Sequence, residues 1–128
     1  MVIFDENEDL DSVFQSALAE SEATGKKILV EYGGDWCVWS RRMAKVLMRP
    51  EFSSLIEQRF VYVRCFVGPS EDLPDVGVEF PSFDSVPYFS LMDSDGNILA
   101  TQATEEFELL WFYRKGKVHA FLKEWAIL

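Results

Sequence analysis

The sequence predicts an α/β fold on a mixed sheet, and three features of its 128 residues carry that prediction. Apolar residues recur at helical spacing near both ends of the chain. Two short apolar runs are joined through helical sequence, the arrangement that produces parallel strands. Two further runs flank Asp93-Ser94-Asp95-Gly96 and form an antiparallel hairpin.

Taken in order, residues 8–24 carry Leu10, Val13, Phe14, Ala17 and Leu18 on one helical stripe. Asn7 or Asp9 can cap its start and Gly25 can end it. Residues 28–32, Ile-Leu-Val-Glu-Tyr, read as a buried strand that stops at Gly33-Gly34. From Cys37 to Arg49 there is no glycine or proline, and Met43, Val46 and Leu47 share a face opposite the cations. This is a second helix with Cys37 at its N-terminus. Pro50 suits the first turn of a short helix over 50–58, with Phe52, Leu55 and Ile56 inward. A second buried strand follows over 60–67. Residues 68–86 hold three of the five prolines and show no period, so a long loop is expected there. The hairpin strands are 88–92 and 97–101, and Val118, Phe121, Leu122 and Trp125 mark a closing helix from about 115 to 126. Residues 105–113, acidic and then aromatic, match no period.

The length suits one domain over 1–128, and a 48% apolar share is ample for its core. No apolar run approaches the roughly 18 residues that would cross a bilayer, so no membrane insertion is expected. The start, Met1-Val-Ile-Phe-Asp-Glu, lacks the features of a signal peptide. A cytoplasmic location is expected, or a periplasmic one if this is the mature form of an exported chain. A net charge of −10 argues against a nucleic-acid partner, because phosphate binding needs clustered cations. A monomer is the expected state. The charge is unevenly spread: residues 1–25 contain seven acids and no Lys or Arg, whereas 36–50 contain Arg41, Arg42, Lys45 and Arg49 and no acid. Two cysteines with one histidine make no zinc site, and no metal or resident cofactor is expected. The Asp-x-Asp of the hairpin fails as a calcium loop, since Ile98 stands where glycine is needed.

Chemistry concentrates at Cys37. A thiol attacks only as the thiolate. The helix start, the cations Arg41 and Arg42 one turn on, and a hydrogen bond from Ser40 would each favour that anion. Cys65, within an apolar strand, reads as core.

The segment Leu29-Val30-Glu31-Tyr32-Gly33-Gly34-Asp35-Trp36-Cys37-Val38-Trp39-Ser40, followed by Val86-Pro87 before a strand, resembles the thioredoxin superfamily. It is most similar to small bacterial thioredoxin-like domains carrying Gly-Gly-Asp-Trp-Cys-x-Trp-Cys. The likeness runs from the first helix to Tyr113 and again over Ala120–Trp125. It implies a thioredoxin-like fold, a central mixed sheet of about four to five strands flanked by helices on both faces. It also implies that Cys37 is the attacking cysteine, that Pro87 is a cis-proline beside the sulfur, and that Val86 pairs with bound peptide. Trp36, Val38 and Trp39 are then substrate contacts. Glu31 matches the family's buried acid, which could serve as a proton acceptor, and Arg64 its basic partner. The second cysteine of the motif is replaced by Ser40, which cannot resolve a mixed disulfide.

Three readings follow. One is a monothiol oxidoreductase acting on protein or glutathione disulfides, as an isomerase or in deglutathionylation, with glutathione as co-substrate. Another is a redox-impaired binding module whose Trp36, Trp39, Val86 and Phe83 form an apolar patch for client proteins. The last takes Ser40 as an engineered replacement of cysteine in a dithiol thioredoxin.

Overall fold

The computed structural model describes residues 2–70 and 72–126. Its elements run α1 (Leu10–Thr24), β1 (Lys27–Gly33), α2 (Val38–Leu47), α3 (Pro50–Arg59), β2 (Phe60–Phe66), β3 (Tyr88–Met92), β4 (Ile98–Ala103), a 3-10 turn (Thr104–Phe107), β5 (Glu108–Leu109), β6 (Phe112–Tyr113) and α4 (Lys115–Trp125). Four strands form the central sheet in the order β2-β1-β3-β4, and β5 pairs only with β6. The β1–β2 pair is parallel, with Glu31 opposite Arg64 and Tyr32 opposite Cys65. β3 runs antiparallel to both β1 and β4, so the sheet is mixed.

Two apolar clusters sandwich the sheet. Because side chains alternate along a strand, Ile28, Val30 and Tyr32 of β1 pack with Phe14 and Ala17 of α1 and with Val61, Val63 and Cys65 of β2. Leu29 faces the other way, onto Met43, Val46 and Leu47 of α2, Phe52 and Ile56 of α3, and Val118, Phe121 and Leu122 of α4. β1 is covered on both faces, which explains why every residue from Ile28 to Gly33 is buried, the acidic Glu31 among them. Gly25 ends α1 with φ 75°, donating its N–H to the Ser21 carbonyl, a left-handed cap that glycine adopts without a Cβ clash. Pro50 occupies the first turn of α3.

The loop expected over 68–86 contains Glu71, which lies outside the described residues, as do Met1 and residues 127–128. Its described residues form no helix or strand, and Leu73, Val76, Val78, Phe80 and Phe83 cover the α1 side of the sheet. The stretch 105–113, unassigned from sequence, holds most of the 3-10 turn and the small β5–β6 hairpin.

Candidate active site

Cys37 is the N-cap of α2, extended at φ −105° and ψ 124°. Its N–H donates to the Gly34 carbonyl at 3.0 Å, and its carbonyl accepts the Arg41 N–H at 3.2 Å, so the Gly33-Gly34 turn feeds directly into the helix. Unpaired N–H groups and the helix dipole make such a position hospitable to negative charge. The half-buried thiol is directed at the Val86 carbonyl oxygen, 3.6 Å away. The Val86–Pro87 peptide bond is cis. Two segments far apart in sequence, the α2 start and the approach to β3, thus meet at one sulfur.

The polar neighbours differ from the sequence expectation. Arg41 donates from Nη1 to the Asp35 carbonyl, and the Arg42 guanidinium lies over the Trp39 ring, 4.7 Å from its centroid. Neither guanidinium hydrogen-bonds the sulfur among the described residues: Arg41 is held by a backbone carbonyl and Arg42 by a ring face. Ser40 is fully buried, and its Oγ accepts the Gly34 N–H at 3.3 Å. A Cβ on Gly33 would stand 2.7 Å from that oxygen. The hydroxyl is therefore packed against the glycine turn, and the thiol's hydrogen-bond partner among the described residues is the Val86 carbonyl.

Glu31 is fully buried on the Leu29 face of β1. Its Oε1 accepts hydrogen bonds from the Tyr62 hydroxyl and, at 3.4 Å, from Arg64 Nε, while Oε2 has no hydrogen-bond partner among the described residues. Burial pushes the Glu31 carboxyl up, and the opposing pull of Arg64 and Tyr62 is smaller. The Tyr62 phenol is also raised, first by burial and then by the Glu31 charge.

Of the other residues singled out, Trp36 and Val38, which flank Cys37 in sequence, are exposed, at 46% and 43%. The Trp36 indole donates to the Val67 carbonyl at 2.7 Å. Trp39 is partly buried against the core and edge-on to Tyr113, with ring centroids 4.9 Å apart. Val86 is half-buried and Pro87 buried. Phe83 instead stacks on Tyr88 and lies tilted against Tyr32 over the α1 side of the sheet. Cys65 is buried in that same cluster, across the sheet from α2, and burial pushes its thiol up to about 12.

Two residues missed in the sequence complete the site. Thr104 donates from Oγ1 to the Pro87 carbonyl at 2.6 Å and lies 3.3 Å from the Tyr113 hydroxyl, which also reaches the Trp39 carbonyl at 3.4 Å. The 3-10 turn and β6 thereby brace both segments that converge on Cys37. Burial raises the Tyr113 phenol, with Cys37 and Glu31 among the charges that add to the rise. Among the described residues no group of three or more His, Cys, Asp or Glu could hold a metal ion, and no helix is long and apolar enough to cross a membrane.

Mixed sheet, flanking helices and a cysteine at a helix start define the class, and a family model described as thioredoxin-like matches residues 9–94. The chain belongs to this thioredoxin-like family. Its fold is similar to that of a disulphide isomerase from Xylella fastidiosa Temecula1, with a TM-score of 0.81 and 23% identity over 97% of this chain and 96% of that one. It is also similar to a DsbH oxidoreductase, with a TM-score of 0.58 and 22% identity over 85% of this chain and 81% of that one. No curated protein matches significantly.

Proposed function

We propose that the protein is a thiol–disulfide oxidoreductase that acts through one nucleophile, Cys37, with glutathione or a similar small thiol completing the cycle. One observation carries this reading: a half-exposed thiol caps α2 beside Val86-Pro87, while the position one turn on is a buried serine. The Cys37 thiolate attacks one sulfur of a substrate disulfide. A Cys37–substrate disulfide forms, and the other sulfur leaves as a thiolate that takes up a proton. Ser40 has no sulfur with which to resolve that bond, and Cys65 is buried on the far face of the sheet. An external thiolate must attack the substrate sulfur, regenerating the Cys37 thiolate and carrying the substrate away as a new mixed disulfide. With a glutathionylated protein the first step releases the protein thiol, and the second yields glutathione disulfide. That a disulphide isomerase has a similar fold is consistent with this chemistry.

In this mechanism Val86 and Pro87 offer the backbone against which a peptide lies, Trp36, Val38 and Trp39 offer apolar contact, and Glu31 is a buried proton acceptor. Turnover of a glutathionylated peptide should require added glutathione and vanish in Cys37→Ala. Turnover at the same rate without any added thiol would refute the single-cysteine cycle.

The exposure of Trp36 and Val38 favours a second reading, a binding module that retains clients without turnover. Clients held equally well by Cys37→Ser would favour it over the enzyme.

A further inference from the structure

The β5–β6 hairpin presents Leu109, Leu110, Trp111 and Phe112 to solvent at 48%, 72%, 67% and 42% exposure. Four consecutive exposed apolar residues on a hairpin tip contribute nothing to either core, and patches of this kind mark contact sites. Leu110 also adopts φ 58°, a left-handed conformation that favours glycine and is uncommon for a leucine. Stability alone would favour a glycine or a polar residue here.

Beside the tip lies a cleft of about 160 Å³ whose lining includes Arg42, Lys45, Lys115, Trp111, Phe112 and Tyr113, and no acid. None of the three cations makes a salt bridge among the described residues, although the Glu108 carboxylate feels the Arg42 charge and the chain as a whole carries −10. The cleft also connects to the thiol. Tyr113 follows Phe112 in β6, packs edge-on to Trp39 and meets Thr104, which holds the Pro87 carbonyl.

We propose that this hairpin and cleft form a docking site for an acidic, apolar segment of the substrate polypeptide, outside the stretch that carries the reacting disulfide. Carboxylates of the segment pair with Arg42, Lys45 and Lys115, and its apolar side chains lie on Trp111 and Phe112. Space for one or two side chains suits a peptide rather than a folded domain. The proposal deepens the oxidoreductase reading and rests on it only in calling the peptide part of a substrate.

The test uses a labelled peptide without cysteine, Asp-Leu-Glu-Phe-Asp, and fluorescence anisotropy with the full chain and with Cys37→Ala. Both should bind it, more weakly as salt rises, while a peptide with lysine for each acid does not bind. Lys45→Glu with Lys115→Glu, and separately Trp111→Ala, should weaken binding by roughly tenfold or more. Leu110→Gly should weaken binding while raising the melting temperature by about 2–5 °C, a combination that a purely structural role would not give. Equal binding of the two peptides, no binding, or binding unchanged by these variants would overturn the proposal. So would cosedimentation with anionic-lipid vesicles in the absence of peptide binding, or self-association abolished by Trp111→Ala. Because the peptide has no disulfide, its binding reports this site alone; binding here together with no Cys37 adduct from a glutathionylated peptide would leave this site standing and sink the oxidoreductase reading.

Discussion

The sulfur of Cys37 and the carbonyl oxygen of Val86 lie 3.6 Å apart across 49 residues of sequence. A peptide approaching the thiol therefore meets the backbone that leads into β3 at the same time. What surrounds this contact decides what the thiol can do, and four outcomes follow from it.

Ser40→Cys should convert the chain to a dithiol protein. The side chain lies one helical turn from Cys37, and a cysteine that rotates away from the Gly33-Gly34 turn brings its sulfur to the mixed disulfide. Time-resolved mass spectrometry should show the Cys37 adduct decaying at least about tenfold faster than in the parent, with an intramolecular disulfide as product. An adduct equally long-lived in both proteins would contradict the proposed role of position 40.

Thr104→Val should loosen the site from below. It removes the donor to the Pro87 carbonyl and leaves a buried acceptor unpaired, at a cost of about 1–3 kcal/mol. Urea denaturation measures that loss, and the rate of Cys37 adduct formation should fall with it. Tyr113→Phe removes longer bonds of 3.3 and 3.4 Å and should cost less.

Gly34→Ala should displace Trp36, because the added Cβ would collide with the indole nitrogen. The indole bond to the Val67 carbonyl would break, with a loss of about 1–3 kcal/mol from overpacking. A lower melting temperature and altered tryptophan fluorescence are the expected readings.

Glu31 should make stability depend on pH. Its folded-state carboxyl is raised by burial, so the native protein binds more protons than the unfolded chain between the ordinary glutamate range and the raised native value. Stability is greatest below that window and falls as pH rises through it. In Glu31→Gln this component of the slope should disappear when urea midpoints are compared across the window. An unchanged slope would mean that the carboxyl ionises as easily in the fold as in water.

Much of this was legible in the sequence, because long periodic elements declare themselves. The α1 stripe, the two-sided burial of β1 and the start of α2 at Cys37 are all consequences of apolar spacing. Thr104 and Tyr113 were not legible. The 3-10 turn spans four residues, and β5 and β6 two each, too few to carry a period, and those strands pair only with each other. Side-chain direction was also hidden. Helical spacing puts Ser40 and Arg41 near the sulfur, but Ser40 faces the Gly33-Gly34 turn and Arg41 the Asp35 carbonyl, contacts set by the shape of the loop.

The most direct test of the central claim is a single-turnover mass measurement. The reduced protein is mixed with a glutathionylated peptide and no other thiol, then quenched over time. A Cys37–glutathione adduct should accumulate to one per chain, persist, and disappear only when glutathione is added. Release of glutathione disulfide with no added thiol, or an adduct on Cys65 with Cys37 left free, would contradict the account.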